Sequence, residues 1–510
     1  MKRDKANFLN DLRSIKLNNK WNNLFDTLDE RCKEKYLGIK ILHLIERDLQ
    51  SYWLNLAEKK SGWRKAFSLF ELISPYQLSG HIKLYLHRIR KKICKNDQKM
   101  DLEDLGWAEA AWVFVPTVEN NLNVMIPLAK ELQFNHEEVV FVVPEEAWKW
   151  PKYKALSQDF KINSLTICDI NKDQELNQVI RNFQSEFMIA IESEKSVPCA
   201  IKKKLTGEAV GAARKMLYAI NSVNSYCQKS PPKAVITGRP KRIFPLAFLL
   251  ASNANRVKTI FMSHTVWFKK MDFLGKLYDL SLFDAAICLS NDCKREIVRN
   301  SKCHNVIASG FPDLSYKEKG ADKVKKSSGE TNVIGYLASS NLDRVSEISN
   351  VLSRNANSIR IKTHPPGGDK KQIEGMFVGY ENIPKVFDHN EISLMKFMSD
   401  VDFVLVAGST AGFEAAMAGV PVISYSFDYD IAYLEHMSPI ISPSDISVYF
   451  AEHEEDLDNV IKSVTLMKKQ EIAELGLEQK RRFSLRFPEY SASSILSWLY
   501  DIEHSAKLSN

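Results

Sequence analysis

From residue 111 onward the chain alternates between short apolar runs and stretches with apolar residues at three- and four-residue spacing. Residues 111–115 (AWVFV) form an apolar run closed by Pro116, and residues 139–143 (VVFVV) repeat the form, again before a proline. Further runs at 164–168, 187–191, 234–236, 259–262, 285–289 and 305–308 read as strands, and residues 122–132 and 207–226 read as helices. After a polar, lysine-rich stretch at 316–331 the alternation restarts. Strands are predicted at 332–336, 358–362, 402–406 and 420–424, and helices at 343–352, 391–399, 410–418 and across 455–502. Short apolar strands separated by helices predict parallel sheets covered on both faces. The first 105 residues differ, with helical spacing around residues 21–28 and 37–53 and few β-branched runs. The expected organisation is therefore a helical basic extension (1–105), a first βα domain (106–315), a linker (316–331), a second βα domain (332–440) and C-terminal helices (441–510). Ligands of such sheets bind beyond the C-terminal strand ends, so two facing domains would enclose a cleft.

Composition changes this picture in three places. The hydrophobic fraction of 45% and charged fraction of 26% are ordinary for a globular protein. No run reaches the ~18 apolar residues of a membrane span, and the polar start does not read as a signal peptide. The eight cysteines are scattered, without CxxC pairs or finger spacing, and read as reduced thiols of a cytoplasmic protein. The net charge of +7 is concentrated in residues 1–105, with 22 Lys and Arg against 14 Asp and Glu. It is densest at 81–95, a basic and partly apolar helix that fits either a solvated face or an anionic membrane surface. No RNA- or DNA-binding motif accompanies the charge, so nucleic acid is not an expected partner.

The richest segment for chemistry runs from residue 404 to 423. There a buried strand ends near Gly408, Ser409 or Thr410 caps a helix, Glu414 lies near the first turn, and Gly419 and Pro421 close the unit. Free N–H groups, the positive end of the helix dipole, small residues and hydroxyls together suit a phosphate. Glu414 suits a ribose. Lys362 and His364 stand where another strand of the same domain meets the His364-Pro-Pro-Gly-Gly368 turn, placing an imidazole and an ammonium at the functional rim. In the first domain, His264 follows the 259–262 strand and is read as a base, a phosphate ligand or a satisfied structural histidine. Glu119, in the loop after the first strand, is either a base for an acceptor hydroxyl or a solvated carboxylate. Arg239 lies in a basic loop that could meet an anion or simply be surface. No P-loop, GxGxxG, GxSxG or HExxH string occurs. Asp428-Tyr-Asp430 fits a metal-binding DxD only formally, so no metal is expected.

The order of these motifs resembles bacterial GT-B enzymes of surface-polysaccharide assembly, among them CDP-glycerol glycerophosphotransferases and capsule Kdo- and sialyltransferases. The resemblance rests on Ser263-His264-Thr265, Gly310-Phe-Pro-Asp313, His364-Pro365 and the Gly408 to Val422 string, in that order, and covers roughly residues 110–440. The acid of Gly310-Phe-Pro-Asp313 comes one place early, and two departures matter more: Thr265 occupies a position usually held by glycine, and no clear counterpart of the acidic motif that supplies the base in sialyltransferases occurs. The resemblance implies an α/β, GT-B-like fold of two Rossmann-like domains facing a cleft, with a helical N-terminal extension. It also implies a metal-independent transferase without a cofactor, taking a nucleotide sugar, CMP- or CDP-linked by preference, to a saccharide or lipid-linked acceptor. Lys362, His364, Gly408, Ser409, Thr410 and Glu414 would hold the donor. Glu119 and His264 would act on the acceptor side, and Arg239 would contact acceptor or phosphate. The implied location is cytoplasmic, peripheral to the inner membrane if the basic region binds it.

Two other classes fit the same residues. UDP-N-acetylglucosamine 2-epimerases share a His-Pro-like loop and a Gly-rich helix and act without an acceptor. A GT-B-like scaffold would bind nucleotide without turnover. A third reading places the work in the basic N-terminal region, binding membrane or nucleic acid, and predicts salt-dependent binding by that region alone.

Overall fold

An apolar run that forms an inner strand must bury both of its faces, and most of the runs that the sequence marks do so in two parallel sheets. The computed structural model describes residues 110–150, 152–165, 174–192, 199–238, 243–264, 280–301, 303–312, 331–338, 342–363, 370–379, 382–389, 391–407, 410–425, 445 and 447–507. The basic extension expected at 1–105 and the linker expected at 316–331, apart from its last residue, lie outside the described residues.

The first sheet has seven strands: β1 (Trp112–Val115), β2 (Val139–Pro144), β3 (Lys161–Leu165), β4 (Ala234–Thr237), β5 (Lys258–Met262), β6 (Ala285–Cys288) and β7 (Asn305–Ala308). Their spatial order is β3-β2-β1-β4-β5-β6-β7, and every pairing is parallel. Alternate residues of β1 serve different cores. Trp112 and Phe114 join the large core that continues toward the C-terminus, whereas Ala111, Val113 and Val115 pack with Val223, Phe248 and Ala251 on the other face. This two-sided burial is why the strand reads as an unbroken apolar run rather than an alternation. The helices α1 (Leu122–Phe134), α2 (Tyr153–Asp159), α3 (Gln174–Glu192), α4 (Cys199–Lys229), α5 (Ile243–Ala254) and α6 (Asn291–Asn300) connect the strands.

The second sheet has six parallel strands: β8 (Ile334–Leu337), β9 (Ile359–Lys362), β10 (Lys385–Phe387), β11 (Phe403–Val406), β12 (Val422–Tyr425) and β13 (Tyr449–Ala451), in the order β10-β9-β8-β11-β12-β13. Its helices are α7 (Leu342–Asn355), α8 (Lys370–Gly375), α9 (Leu394–Ser399) and α10 (Thr410–Met417), followed by α11 (Glu454–Thr465), α12 (Lys469–Ser484) and α13 (Ala492–Lys507). The chain is thus an α/β protein with two Rossmann-like domains. Both sheets run outward on one side of their first strand and then return to its other side. That reversal creates a topological switch point between β1 and β4, and another between β8 and β11.

Three sequence expectations are corrected. The run 187–191 is not a strand but the end of the 19-residue helix α3. Met188 and Ile189 are exposed there, so a run of five apolar residues does not have to sit inside a sheet. The strand expected at 164–168 begins three residues earlier, at Lys161. The second sheet also takes its last strand, β13, from beyond residue 440.

The two domains are joined by the chain's final segment. Phe413 on α10 packs against Phe483 and Phe487, and Phe487 meets Phe311, which follows β7, in a tilted pair with ring centroids 5.2 Å apart. The Asn291 N–H donates to the Arg486 carbonyl at 2.8 Å. Gly310 has a φ of +72°, and a Cβ there would lie 1.9 Å from the Pro488 carbonyl oxygen, so only glycine allows this approach. Beyond that point α13 packs on α1 of the first domain. Among the described residues no helix is long and apolar enough to cross a membrane.

Candidate functional site

The exit rim of the first sheet is built around a polar side chain that is fully buried. After β1 ends at Val115, the chain passes Pro116 and closes a 3-10 turn, Glu119–Asn121, before α1 begins. Asn121 folds back beneath this turn, and its Oδ1 accepts from the Thr117 N–H (2.9 Å), the Thr117 hydroxyl (2.8 Å) and the Val118 N–H (3.1 Å). These donors would otherwise be stranded where the strand ladder stops, so the side chain finishes the strand. On its other side, Asn121 Nδ2 lies 2.9 Å from His264 Nδ1. His264 is reached through the end of β5, where the Ser263 N–H still donates to the Ile287 carbonyl on β6. Between them Gly238 ends β4, and a Cβ there would lie 2.6 Å from Asn121 Nδ2. Three adjacent strand ends, β1, β4 and β5, therefore converge on one Asn–His pair beside the switch point.

Glu119 stands in the same turn, half-buried, and its Oε1 accepts from the Lys152 N–H at 2.9 Å, while the Lys152 ammonium bonds Asn123. The carboxylate thus ties the turn after β1 to the start of α2. Arg239 lies outside the described residues.

In the second domain, β11 pairs with β8 through Leu337 and Val406, and α10 opens at Thr410, four residues beyond the end of β11. The start of that helix is therefore at the second switch point. Phe413 turns into the interdomain aromatic core, and Glu414 follows it, half-buried. Gly408, Ser409 and His364 lie outside the described residues, as does the side chain of Thr410. Lys362, at the end of β9, is buried, and its ammonium donates to the carbonyls of His389 (2.6 Å) and Ile392 (2.8 Å). Burial holds its pKa below the ordinary lysine value, with Asp388 and Glu391 opposing the fall. Two of its three donors thus stitch β9 to the turn after β10, and the charge expected at a ligand is largely taken up by the fold. The buried thiols of Cys227 and Cys303 are pushed up to about 11 by burial, so neither supplies a thiolate near neutral pH.

The residue that sequence reasoning missed is Asn121. An Asn-Asn string in a polar loop carries no motif, and its partner His264 is 143 positions away. The one local hint is a threonine, Thr117, four residues before an asparagine at a strand exit, a spacing that suits a side chain bonding back to backbone N–H groups.

No protein-family model matches the chain, and no curated protein matches it in sequence. Among solved structures, similar ones include MurG of Acinetobacter baumannii, with 10% identity, 77% of this chain and 99% of that chain covered, and a TM-score of 0.47. A UDP-GlcNAc 2-epimerase from Neisseria meningitidis, bound to UDP-GlcNAc, has 13% identity, covers 77% of this chain and 100% of its own, and scores 0.47. A UDP-glucosyltransferase from Polygonum tinctorium has 12% identity, coverages of 78% and 100%, and a TM-score of 0.46. At such values these likenesses decide nothing about activity, and the strand order and switch points carry the fold by themselves.

Proposed function

We propose that the chain is a GT-B-type transferase that moves a sugar from a nucleotide-activated donor, cytidine-linked by preference, to a saccharide or lipid-linked acceptor. The observation that supports this reading is the opening of α10 at Thr410, at the switch point of the second sheet. A helix that starts there directs the N–H groups of its first turn and the positive end of its dipole to the place where doubly wound sheets bind nucleotides. The residues leading into it, Gly408, Ser409 and Thr410, are small or hydroxylated, which suits close approach of a phosphate. A departing nucleotide carries its negative charge on phosphate, and fixed N–H dipoles stabilise that charge as it develops. The Asn121–His264 rim of the first sheet is the natural acceptor side, since the two domains are coupled through the Phe311, Phe413 and Phe487 core. The cytidine preference and the acceptor class rest on the order of the His-Pro and Gly-Ser-Thr motifs.

The test is thermal stability against CMP, CDP, UDP, GDP and dTDP, with and without magnesium, in wild type, His364→Ala and Ser409→Ala. A ligand that binds only the folded state at 100 times its Kd stabilises by about 2.7 kcal/mol, which is easily read as a rise in Tm. A rise with CMP or CDP that is independent of magnesium and lost in both variants is the expected result. A rise with UDP alone, with sugar exchange in the absence of any acceptor, would move the chain to the epimerase class. No rise with any nucleotide would sink the donor site.

A further inference from the structure

The exit rim of the first sheet constrains a proton. Asn121 Oδ1 faces two backbone N–H groups and a hydroxyl, so its orientation is set: turning the amide over would bring NH2 against those N–H donors. Its NH2 must therefore face His264 Nδ1, 2.9 Å away, and a donor there requires a lone pair on that nitrogen. A histidine with a proton on Nδ1, in either the other neutral form or the imidazolium, would set donor against donor. Asn121 is completely buried, and it packs so close to Gly238 that a Cβ there would lie 2.6 Å from the amide nitrogen.

We propose that Asn121 is a positioning residue that locks His264 in the tautomer with its proton on Nε2, so that His264 meets substrate as a hydrogen-bond donor to an oxygen atom and not as a general base. In that tautomer neither ring nitrogen can take a proton from an acceptor hydroxyl: Nε2 already holds one, and the Nδ1 lone pair is engaged by Asn121. The chemical class recognised at Nε2 is an oxygen lone pair of the substrate. The lock is a property of the protein alone, whereas the donor role rests on the transferase reading above.

The lock is tested by long-range proton–nitrogen correlation spectra of protein labelled with 15N-histidine, with the His264 signals identified by their loss in His264→Gln. The expected wild-type pattern is an unprotonated Nδ1 and a protonated Nε2. Asn121→Asp keeps the shape of the side chain but presents an acceptor to Nδ1, and is expected to move the proton there. A protonated Nδ1 in wild type overturns the lock, as does an unchanged pattern in folded Asn121→Asp; should that variant not fold, the wild-type spectrum decides. The donor role is read by turnover. Glutamine keeps an N–H donor near Nε2 but cannot act as a base, so His264→Gln is expected within ~10-fold of wild type, against the 10²–10⁴-fold associated with a general base. Asn121→Asp is expected to lose roughly 10²–10³-fold, as when one fixed donor is removed. His264→Gln as inactive as His264→Ala overturns the donor role. Wild type without nucleotide-dependent turnover overturns it together with the transferase reading, while the spectra still decide the lock.

Discussion

The two ends of the first sheet are built from similar materials and put to different uses. At the entry end, before β1, β2 and β4, lie Trp112, Glu137 and Lys233, and all three close around Tyr500 of the C-terminal helix. Glu137 accepts from the Lys233 ammonium (2.9 Å), the Tyr500 hydroxyl (2.8 Å) and the Trp112 indole (3.1 Å), and the Lys233 ammonium lies over the Trp112 and Tyr500 rings. Here two bonds to Glu137 come from within the first domain, and the third, from Tyr500, ties the C-terminal helix to it. At the exit end, after β1, β4 and β5, Asn121 is just as well bonded, and its last bond goes to the half-buried imidazole of His264. One end is a clasp, and the other is the rim we propose as the acceptor side. Burial and hydrogen bonding do not distinguish them, since Glu137, Lys233 and Tyr500 are half-buried as well; what does is that the exit end lies at the rim where the strand order reverses.

Substitutions can break or sharpen that contrast. Trp112→Ala at the clasp is expected to have the largest effect on stability, about 3–5 kcal/mol by chemical denaturation, because a buried indole and its bond to Glu137 are both lost. Nucleotide-dependent stabilisation should survive in the fraction that remains folded. Gly238→Ala at the site should cost less, about 1–3 kcal/mol for overpacking against Asn121. It should nevertheless reduce turnover far more than Trp112→Ala does, and equal loss of turnover in the two variants would erase the distinction between clasp and site. Tyr500→Phe is expected to cost about 1.5 kcal/mol, as for a hydrogen bond to a charged group.

That cost should depend on pH. Burial raises the Glu137 pKa, but Lys233, Tyr500 and Trp112 together outweigh it and hold it below its ordinary 4.5. A carboxylate depressed in the folded state contributes stability that is full above about pH 4.5 and fades as the pH falls through the lowered value. Wild type and Tyr500→Phe should therefore converge in acid, which parallel denaturant curves from pH 7 to 3 would show. Smallest of all, Lys161→Ala should change stability by under about 0.5 kcal/mol, since its 3.9 Å pair with Glu138 is exposed on both sides.

Most of this architecture is legible from the apolar runs, because a strand buried on both faces leaves an unbroken signal, as in β1, β2, β4 and β11. The failures share a cause. β10 and β13 are three-residue strands at the edges of the second sheet, and Lys385 in the first of them is exposed, so no apolar run marks them. Residues 187–191 show the reverse error, an apolar run that lies on a helix. The Gly408-Ser-Thr410 string and His264 can be singled out because each follows a recognisable strand. Lys362 was singled out too, but its use could not be read, since the carbonyls of His389 and Ile392 reach it only through the fold. Asn121 stayed hidden because its meaning lies wholly in a partner from another strand.

The clasp also has a consequence for the order in which the protein is made. Helix α13 follows every strand of both sheets in the sequence, yet it closes the entry end of the sheet that begins at Trp112. A ribosome adding ~5–20 residues each second needs on the order of tens of seconds to travel from α1 to α13. Throughout that interval the nascent first domain has its strands but lacks its clasp, leaving Trp112, Glu137 and Lys233 uncovered. Completion of the first domain thus waits on the synthesis of α13, which makes the nascent chain most dependent on protection from aggregation until that helix has emerged.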